Sequence, residues 1–310
     1  MSETRGDRML VDTSYLYFRA FHGVPDSIRT PDGHPVNAVR GVLDLLANLI
    51  TDLAPGEVIC CWDEDWRPQW RVDLLPSYKT HRVASDGEGI AEEQVPDDLA
   101  RQIPWIREAL EALGFPVIGV PGLEADDVIA SLAAHDDAGT LVVTGDRDLM
   151  QLVDDERRVQ VVWIAGGVKK KEIFDAAAVR AKHLVDPGQY VALAALRGDP
   201  SDGIAGVRGI GEKTAAQLLD RFGSLDAILT AAADPDATGL TKSQRERIKD
   251  AADHLRAAEK VITVVRDAKG LSGRTGGSRT GCVDHEAFEA LSRRLGLGKS
   301  ADRILEALHS

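Results

Sequence analysis

The chain has 310 residues, 44% of them hydrophobic, enough to bury a sizeable core and to divide into two domains. It has no apolar run of the roughly 20 residues a membrane span needs and no signal-peptide pattern. Its three cysteines, two of them adjacent at Cys60 and Cys61, make no disulfide framework and point to a cytoplasmic protein, while a net charge of −13 taken as a total speaks against a nucleic-acid partner. In chain order, Met9-Leu10-Val11 ends in Asp12, residues 58–62 end in Asp63, and residues 140–144 are closed by Gly145 and Asp146. Each near-continuously apolar run predicts a buried strand of a parallel sheet. Residues 36–53, 99–113 and 123–134 carry Leu, Val and Ile at helical spacing, and this alternation predicts an α/β fold. Residues 66–98 hold no strong period. They begin with Trp66, Arg67, Trp70, Arg71, Tyr78, Lys79, His81 and Arg82 and run on through an acidic stretch to Pro96. The segment reads as a long excursion from the sheet, either a solvated loop or a surface on which aromatics and cations meet single-stranded nucleic acid. From about residue 185 the chain turns helical with small residues. Residues 231–244 read as an inter-helix connection and 268–281 as a flexible Gly/Ser/Arg-rich loop.

The charge is unevenly spread. Residues 201–310 hold 17 Lys and Arg against 16 Asp and Glu, whereas residues 1–200 hold 20 against 34. The acids of the first part cluster at Asp12 and Asp63, at Glu124, Asp126 and Asp127, at Asp146 and Asp148, and at Asp199, with Asp202 just beyond. Singly, each has an ordinary role as a helix cap, a turn residue or a partner of a helix dipole. Together, at the ends of several strands, they predict a shared site, because an open α/β sheet binds ligands outside the carboxyl ends of its strands. Carboxylates that close together need cations between them. An Asp-rich set without Cys/His spacing suits Mg²⁺ or Mn²⁺ rather than zinc, and a pair of such ions suits phosphodiester cleavage.

Residues 204–219 contain Val207-Arg208-Gly209-Ile210-Gly211 followed by Glu212-Lys213-Thr214. They read as a helix, a glycine hairpin and a second helix starting near Gly211, whose free N–H groups could face a phosphate beside Lys213 and Thr214. Such contacts hold a nucleic-acid backbone without reading its sequence. The pattern resembles a helix–hairpin–helix DNA-binding motif.

The motifs in order are Leu10-Val-Asp12, Phe18-Arg-Ala-Phe21, Tyr78-Lys-Thr-His-Arg82, Glu124-Ala-Asp-Asp127, Thr144-Gly-Asp-Arg-Asp148, and Gly198-Asp-Pro-Ser-Asp202 leading into the hairpin. Over residues 8 to about 265 the chain resembles the 5′-nuclease family, that is, the bacterial 5′→3′ exonuclease or flap endonuclease also found fused to bacterial DNA polymerase I. The resemblance implies a PIN-like α/β nuclease domain over 1–184 with a helical arch at about 66–105. It further implies a helical DNA-binding region over 185–310 with a helix–hairpin–helix (helix–three-turn–helix) motif at about 202–220. It implies that Asp12, Asp63, Glu124, Asp126, Asp146, Asp148, Asp199 and Asp202 hold two or more Mg²⁺ or Mn²⁺ ions, with Asp127 a ligand or one layer behind. Lys79 and Arg82 would grip the scissile phosphate. Arg19, Arg71, Tyr78, Arg208, Gly209, Gly211, Lys213 and Thr214 would contact DNA, and the carbonyls of Val207 and Ile210 would bind K⁺. The implied enzyme is a stand-alone, monomeric, nucleoid-associated structure-specific 5′ nuclease of replication and repair. Its substrates would be 5′-flap, 5′-overhang and nicked or gapped DNA and RNA–DNA primer strands. A non-catalytic DNA-structure-binding protein of the same fold and a PIN-domain ribonuclease are the rival expectations. Two positions depart from the family pattern: Gly203 replaces the usual Asn after Asp202, and Gln69-Trp70-Arg71 replaces Thr-Phe-Arg one residue late.

Overall fold

The computed structural model describes residues 7–83, 93–135, 138–271 and 283–309. In chain order the elements are β1 (Arg8–Asp12), α1 (Thr13–Gly23), α2 (Asn37–Leu53), β2 (Glu57–Cys61), α3 (Gln69–Leu74), α4 (Asp97–Ala112), β3 (Val117–Ile118), α5 (Ala125–His135), β4 (Thr140–Thr144), β5 (Val159–Trp163) and β6 (Glu172–Phe174). A helical run follows: α6 (Ala176–His183), α7 (Tyr190–Arg197), α8 (Glu212–Phe222), α9 (Leu225–Ala233), α10 (Lys242–Asp250), α11 (Ala252–Ile262), α12 (His285–Leu295) and α13 (Lys299–His309). The strands lie in the order β3-β2-β1-β4-β5-β6, parallel except for β6 at the edge.

The central strands are apolar throughout because both faces of the sheet are covered. Leu10, Ile59 and Val142 point into one core with α5 and the helices α7 to α11. Their neighbours Met9, Val11, Val58, Cys60, Leu141 and Val143 point into the other, with α1, α2, α4, α12 and α13. The chain runs outward from β1 to β2 and β3, then returns to β4 on the far side of β1. The crevice at that reversal, beyond the carboxyl ends of β1, β2 and β4, is where such sheets bind ligands.

Three sequence expectations change. Residues 185–310 do not form one helical region. The last helices α12 and α13 pack on α4 and α2, because Phe288, Leu291, Leu295, Ile304 and Leu308 insert into the second of these cores. The expected arch at 66–105 is not continuous helix in its described parts. α3 is six residues long, a 3-10 turn covers Thr80–Arg82, and α4, through Leu99, Gln102 and Ile106, belongs to the sheet-covering layer. The middle of that segment, 84–92, lies outside the described residues; a bridge between Val83 and Glu93 joins its two flanks. Finally, residues 204–210 are not helical. The first helix of the hairpin motif is α7, ending at Arg197, and the glycines at 198, 203 and 209, all at positive φ, carry the chain to α8. Residues 272–281 of the expected Gly/Ser/Arg-rich loop, and Cys282, lie outside the described residues. Among the described residues no helix is long and apolar enough to cross a membrane.

Candidate active site

Each strand end delivers an acid by a local rule. Asp12 closes β1 and caps α1, its Oδ1 accepting from the Tyr15 N–H and the Ser14 hydroxyl at 3.0 Å. Asp63 follows β2 and accepts from the Ala125 N–H at 2.7 Å, tying that strand to the start of α5. Beyond β4, Thr144 is a shared post: its hydroxyl donates to Asp12 Oδ2 at 2.8 Å and accepts from the Asp146 N–H at 2.9 Å. Asp146 in turn accepts from the Asp148 N–H at 2.8 Å. Gly145 between them admits the Tyr15 ring where a Cβ would come within 1.8 Å of it. Asp199 caps the 3-10 turn Pro200–Asp202, accepting from the N–H and hydroxyl of Ser201.

These acids surround one cavity of about 330 Å³, lined by Asp12, Asp63, Glu124, Asp126, Asp146 and Asp199 together with Lys79, Arg82, Trp66 and Tyr15. Asp148 stands behind Asp146, buried, with an Oδ1 that no donor reaches. Burial, then the nearby Asp63, pushes the Asp12 carboxyl from its ordinary 3.8 to about 6. Burial likewise pushes Glu124 to about 7, although Lys79 and Arg71 pull the other way. Asp126 and Asp148 are held well above the carboxylate range by burial and by their acidic neighbours, and Asp146 is raised for the same reasons.

Lys79 sits in the left-handed backbone region at φ 49°. Its N–H bonds the Asp202 carbonyl at 2.9 Å, and its ammonium reaches Glu124 at 3.0 Å. Burial opposes its charge, but Glu124 keeps it protonated well above the ordinary lysine value. Arg82 donates to the Ser201 carbonyl at 2.7 Å and to Asp202 at 3.1 Å. The turn at 199–203 thus fastens the two basic residues to the cavity rim. Gly203, at φ 70°, packs where a Cβ would lie 2.5 Å from the Ser77 carbonyl, which explains the departure from Asn there.

Three expected site residues lie one layer behind the cavity rather than on it. Asp127 is fully buried, and its two oxygens take the Arg71 guanidinium at 2.8 Å each, with the Val265 N–H at 2.9 Å. It is therefore committed to the protein and does not line the cavity. Arg71 and Tyr78, expected at DNA, are each only 2% exposed. The Tyr78 hydroxyl bonds Glu124 at 2.9 Å and Arg71 lies 3.4 Å from it, so both act beneath the cavity floor. Arg19, on α1, donates to the Ala165 carbonyl at 2.9 Å. At the hairpin, Arg208, Gly209, Gly211 and Lys213 are exposed and Thr214 is half-buried, while the Val207 carbonyl accepts from the Ile210 N–H at 2.9 Å. Residues that sequence reading missed include Thr144 as the post between two acids, Ser201, and Arg197 behind Asp199. Their types carry no signal without the fold.

The donor set is wholly carboxylate oxygen, crowded and partly unsatisfied, which fits hard divalent cations. Among the described residues, no three His, Cys, Asp or Glu side chains close on one point as a finished single-ion cage. They line a wider space instead, which suits ions that keep several of their waters.

Comparison with known proteins agrees with this architecture. The 5′-3′ exonuclease N-terminal resolvase-like domain matches residues 7–183 and the 5′-3′ exonuclease C-terminal SAM fold matches 185–272. The chain is 50% identical over 301 residues to a 5′-3′ exonuclease of Streptomyces coelicolor, covering 97% of this chain and 99% of the relative. It is 45% identical over 314 residues to a 5′-3′ exonuclease of Mycobacterium tuberculosis, covering 98% of each. In fold it is similar to the bacteriophage T5 flap endonuclease, solved in a pseudo-enzyme–product complex with DNA and metal ions, with a TM-score of 0.62 at 21% identity over 98% of this chain and 99% of that one. With both domains matched in order and the likeness running nearly end to end, the chain belongs to the 5′-3′ exonuclease family.

Proposed function

We propose that this 5′ nuclease hydrolyses DNA phosphodiesters where a duplex meets a 5′ single strand, using two divalent cations, Mg²⁺ or Mn²⁺. The observation that carries the reading is the convergence of six of the expected carboxylates, with Glu93 as a seventh, and of two fastened cations, Lys79 and Arg82, on one cavity at the carboxyl ends of β1, β2 and β4. Asp12, Asp63, Glu124, Asp126, Asp146, Asp148, Asp199 and Asp202 would hold the ions directly or through water. When bound, the ions neutralise phosphate charge and make water a better nucleophile at neutral pH.

The protein's own groups do the positioning. Thr144 fixes Asp12 and Asp146 relative to each other. Tyr78 and Arg71 hold Glu124 from below. Lys79 and Arg82, on the cavity lining, would present positive charge to the scissile phosphate. The exposed hairpin would take the duplex backbone on the free N–H groups of α8 beside Lys213 and Thr214, with Arg208, Gly209 and Gly211 at its tip and a K⁺ ion at the carbonyls of Val207 and Ile210. In this division of labour the sheet domain carries the chemistry, α12 and α13 buttress it, and the hairpin region grips duplex. The substrates are 5′ flaps, 5′ overhangs, nicked or gapped duplexes and RNA-containing primer strands, met by a monomer at the nucleoid during replication and repair.

Asp126→Asn and Asp148→Asn, assayed on a 5′-flap DNA in Mg²⁺, should each lose more activity than the roughly 10–100-fold typical of an outer-layer partner of a metal site. EDTA should abolish cleavage by the wild-type protein. Full activity in either variant, or cleavage indifferent to EDTA, would sink the reading.

A further inference from the structure

Behind the acidic cavity, towards the hairpin helix, stands a cation that the proposed function leaves unused. Arg197 ends α7 with its side chain 12% exposed, and its Nε donates to the Gly198 carbonyl at 3.2 Å. Its two outer nitrogens stop short of their acids. One lies 3.7 Å from Asp199 Oδ2 and the other 3.7 Å from Glu212 Oε2, so neither hydrogen-bonds its acid, and the buried Tyr190 hydroxyl is the guanidinium's remaining neighbour. The same charge acts on Asp148, whose buried Oδ1 also lacks a donor. Asp148 and Asp199 belong to the acidic site. Glu212 belongs to the first turn of α8, next to Lys213, and its other oxygen is 2.9 Å from Nδ1 of the buried His183. A guanidinium is therefore suspended between the site on one side and the hairpin helix on the other, at ion-pair range but outside hydrogen-bond range.

Built only for stability, such a buried group would close its hydrogen bonds, since an unmade one is costly. Its placement has an electrostatic consequence instead. A fixed positive charge a few ångströms from the carboxylates competes with any divalent ion for them, and a carboxylate on its far side weakens that competition.

We propose that Arg197 is a positioning residue of the acidic site, a resident counter-cation that sets how tightly Asp148 and Asp199 hold a divalent ion, with Glu212 of the hairpin helix as its counterweight. The proposal rests on the metal-dependent reading above. It ties the element that faces duplex to the carboxylates through one side chain.

The test is Mn²⁺ titrated by calorimetry into DNA-free protein at pH 8 and low salt. Arg197→Gln should bind Mn²⁺ about tenfold tighter than wild type, and Arg197→Lys within a few-fold of it. Glu212→Gln should bind more weakly, because Arg197 then serves the site alone. The double variant should match Arg197→Gln, since Glu212 acts only through Arg197. A merely structural arginine predicts no tighter binding in any of the four proteins. Unchanged or weaker binding by folded Arg197→Gln overturns the proposal. Unchanged or tighter binding by Glu212→Gln, whose side chain is partly exposed and tolerates the change, overturns it even if Arg197→Gln does not fold. Absence of Mn²⁺ binding by the wild-type protein would instead remove the metal-dependent reading on which the proposal stands.

Discussion

Arg71 and Asp127 face each other through two bonds of 2.8 Å, at 2% and 0% exposure, with Arg71 Nε on the Val261 carbonyl and the Val265 N–H on Asp127. This one pair fastens α3 to α5 and to the end of α11. Removing one partner of a buried pair strands the other charge, at a cost of about 3–5 kcal/mol. Arg71→Met should therefore lower the urea midpoint by that much stability at unchanged m-value, and Arg71→Lys should recover little of it, because an ammonium cannot make the bidentate bond. An unchanged midpoint would refute the assignment. The pair also marks a limit of sequence reading. An arginine beside aromatics reads equally as a phosphate contact, and only the packing of α3 on α11 and the bond to Asp127 of α5, 56 positions away, turn it inward. Asp12, Asp63 and Asp146 were legible because a strand end fixes where its last side chain stands, whatever the rest of the chain does.

At the scale of elements, α8 shows how a glycine turn leaves a helix start open to solvent, the surface that the proposed function sets against duplex. Gly211 precedes its first residue without a side-chain cap, leaving N–H groups free, and Lys213 is exposed on the first turn, while Ala215, Leu218 and Leu219 bury the opposite face. Lys213→Ala should weaken duplex binding uniformly across sequences and reduce the slope of log affinity against log salt by about 0.9, one phosphate contact. The measurement is fluorescence anisotropy on a blunt duplex at several salt concentrations without divalent ion, and an unchanged slope would take Lys213 off the interface. The glycines made this hairpin visible in the sequence. The start of the motif was not visible, because α7 is made of Tyr, Val, Ala and Leu up to its closing Arg197 and signals only a buried helix. The distribution of α12 and α13 was equally hidden. An amphipathic helix states that it has a buried face but not which core receives it.

For the molecule as a whole, the net charge of −13 is an incomplete guide to the partner, because much of it is folded into one cavity. That concentration has a stability consequence with a definite sign. Asp12, Glu124, Asp126, Asp146 and Asp148 all have folded-state pKa values above their unfolded ones, with Asp12 at about 6 and Glu124 at about 7. Between the ordinary carboxylate range and those values the folded protein holds more protons than the unfolded chain, so the cluster's contribution to stability falls as pH rises through that window. Moving one carboxyl from 3.8 to about 6 costs on the order of 3 kcal/mol once it is ionised. Asp126→Asn removes one like charge from the set and should raise the melting temperature of the metal-free protein at pH 8, with the gain shrinking towards pH 5, where the wild-type acids take up protons. A divalent ion binds the folded state and does the same work by another route, so Mg²⁺ should raise the wild-type melting temperature more at pH 8 than at pH 5, and more than it raises that of Asp126→Asn at pH 8. Differential scanning fluorimetry of the two proteins across pH, with and without Mg²⁺, measures all of these differences. A variant less stable than wild type at pH 8 and equal to it at pH 5 would mean that Asp126 is held by partners that welcome its charge, and that the acids do not share one repulsive cavity.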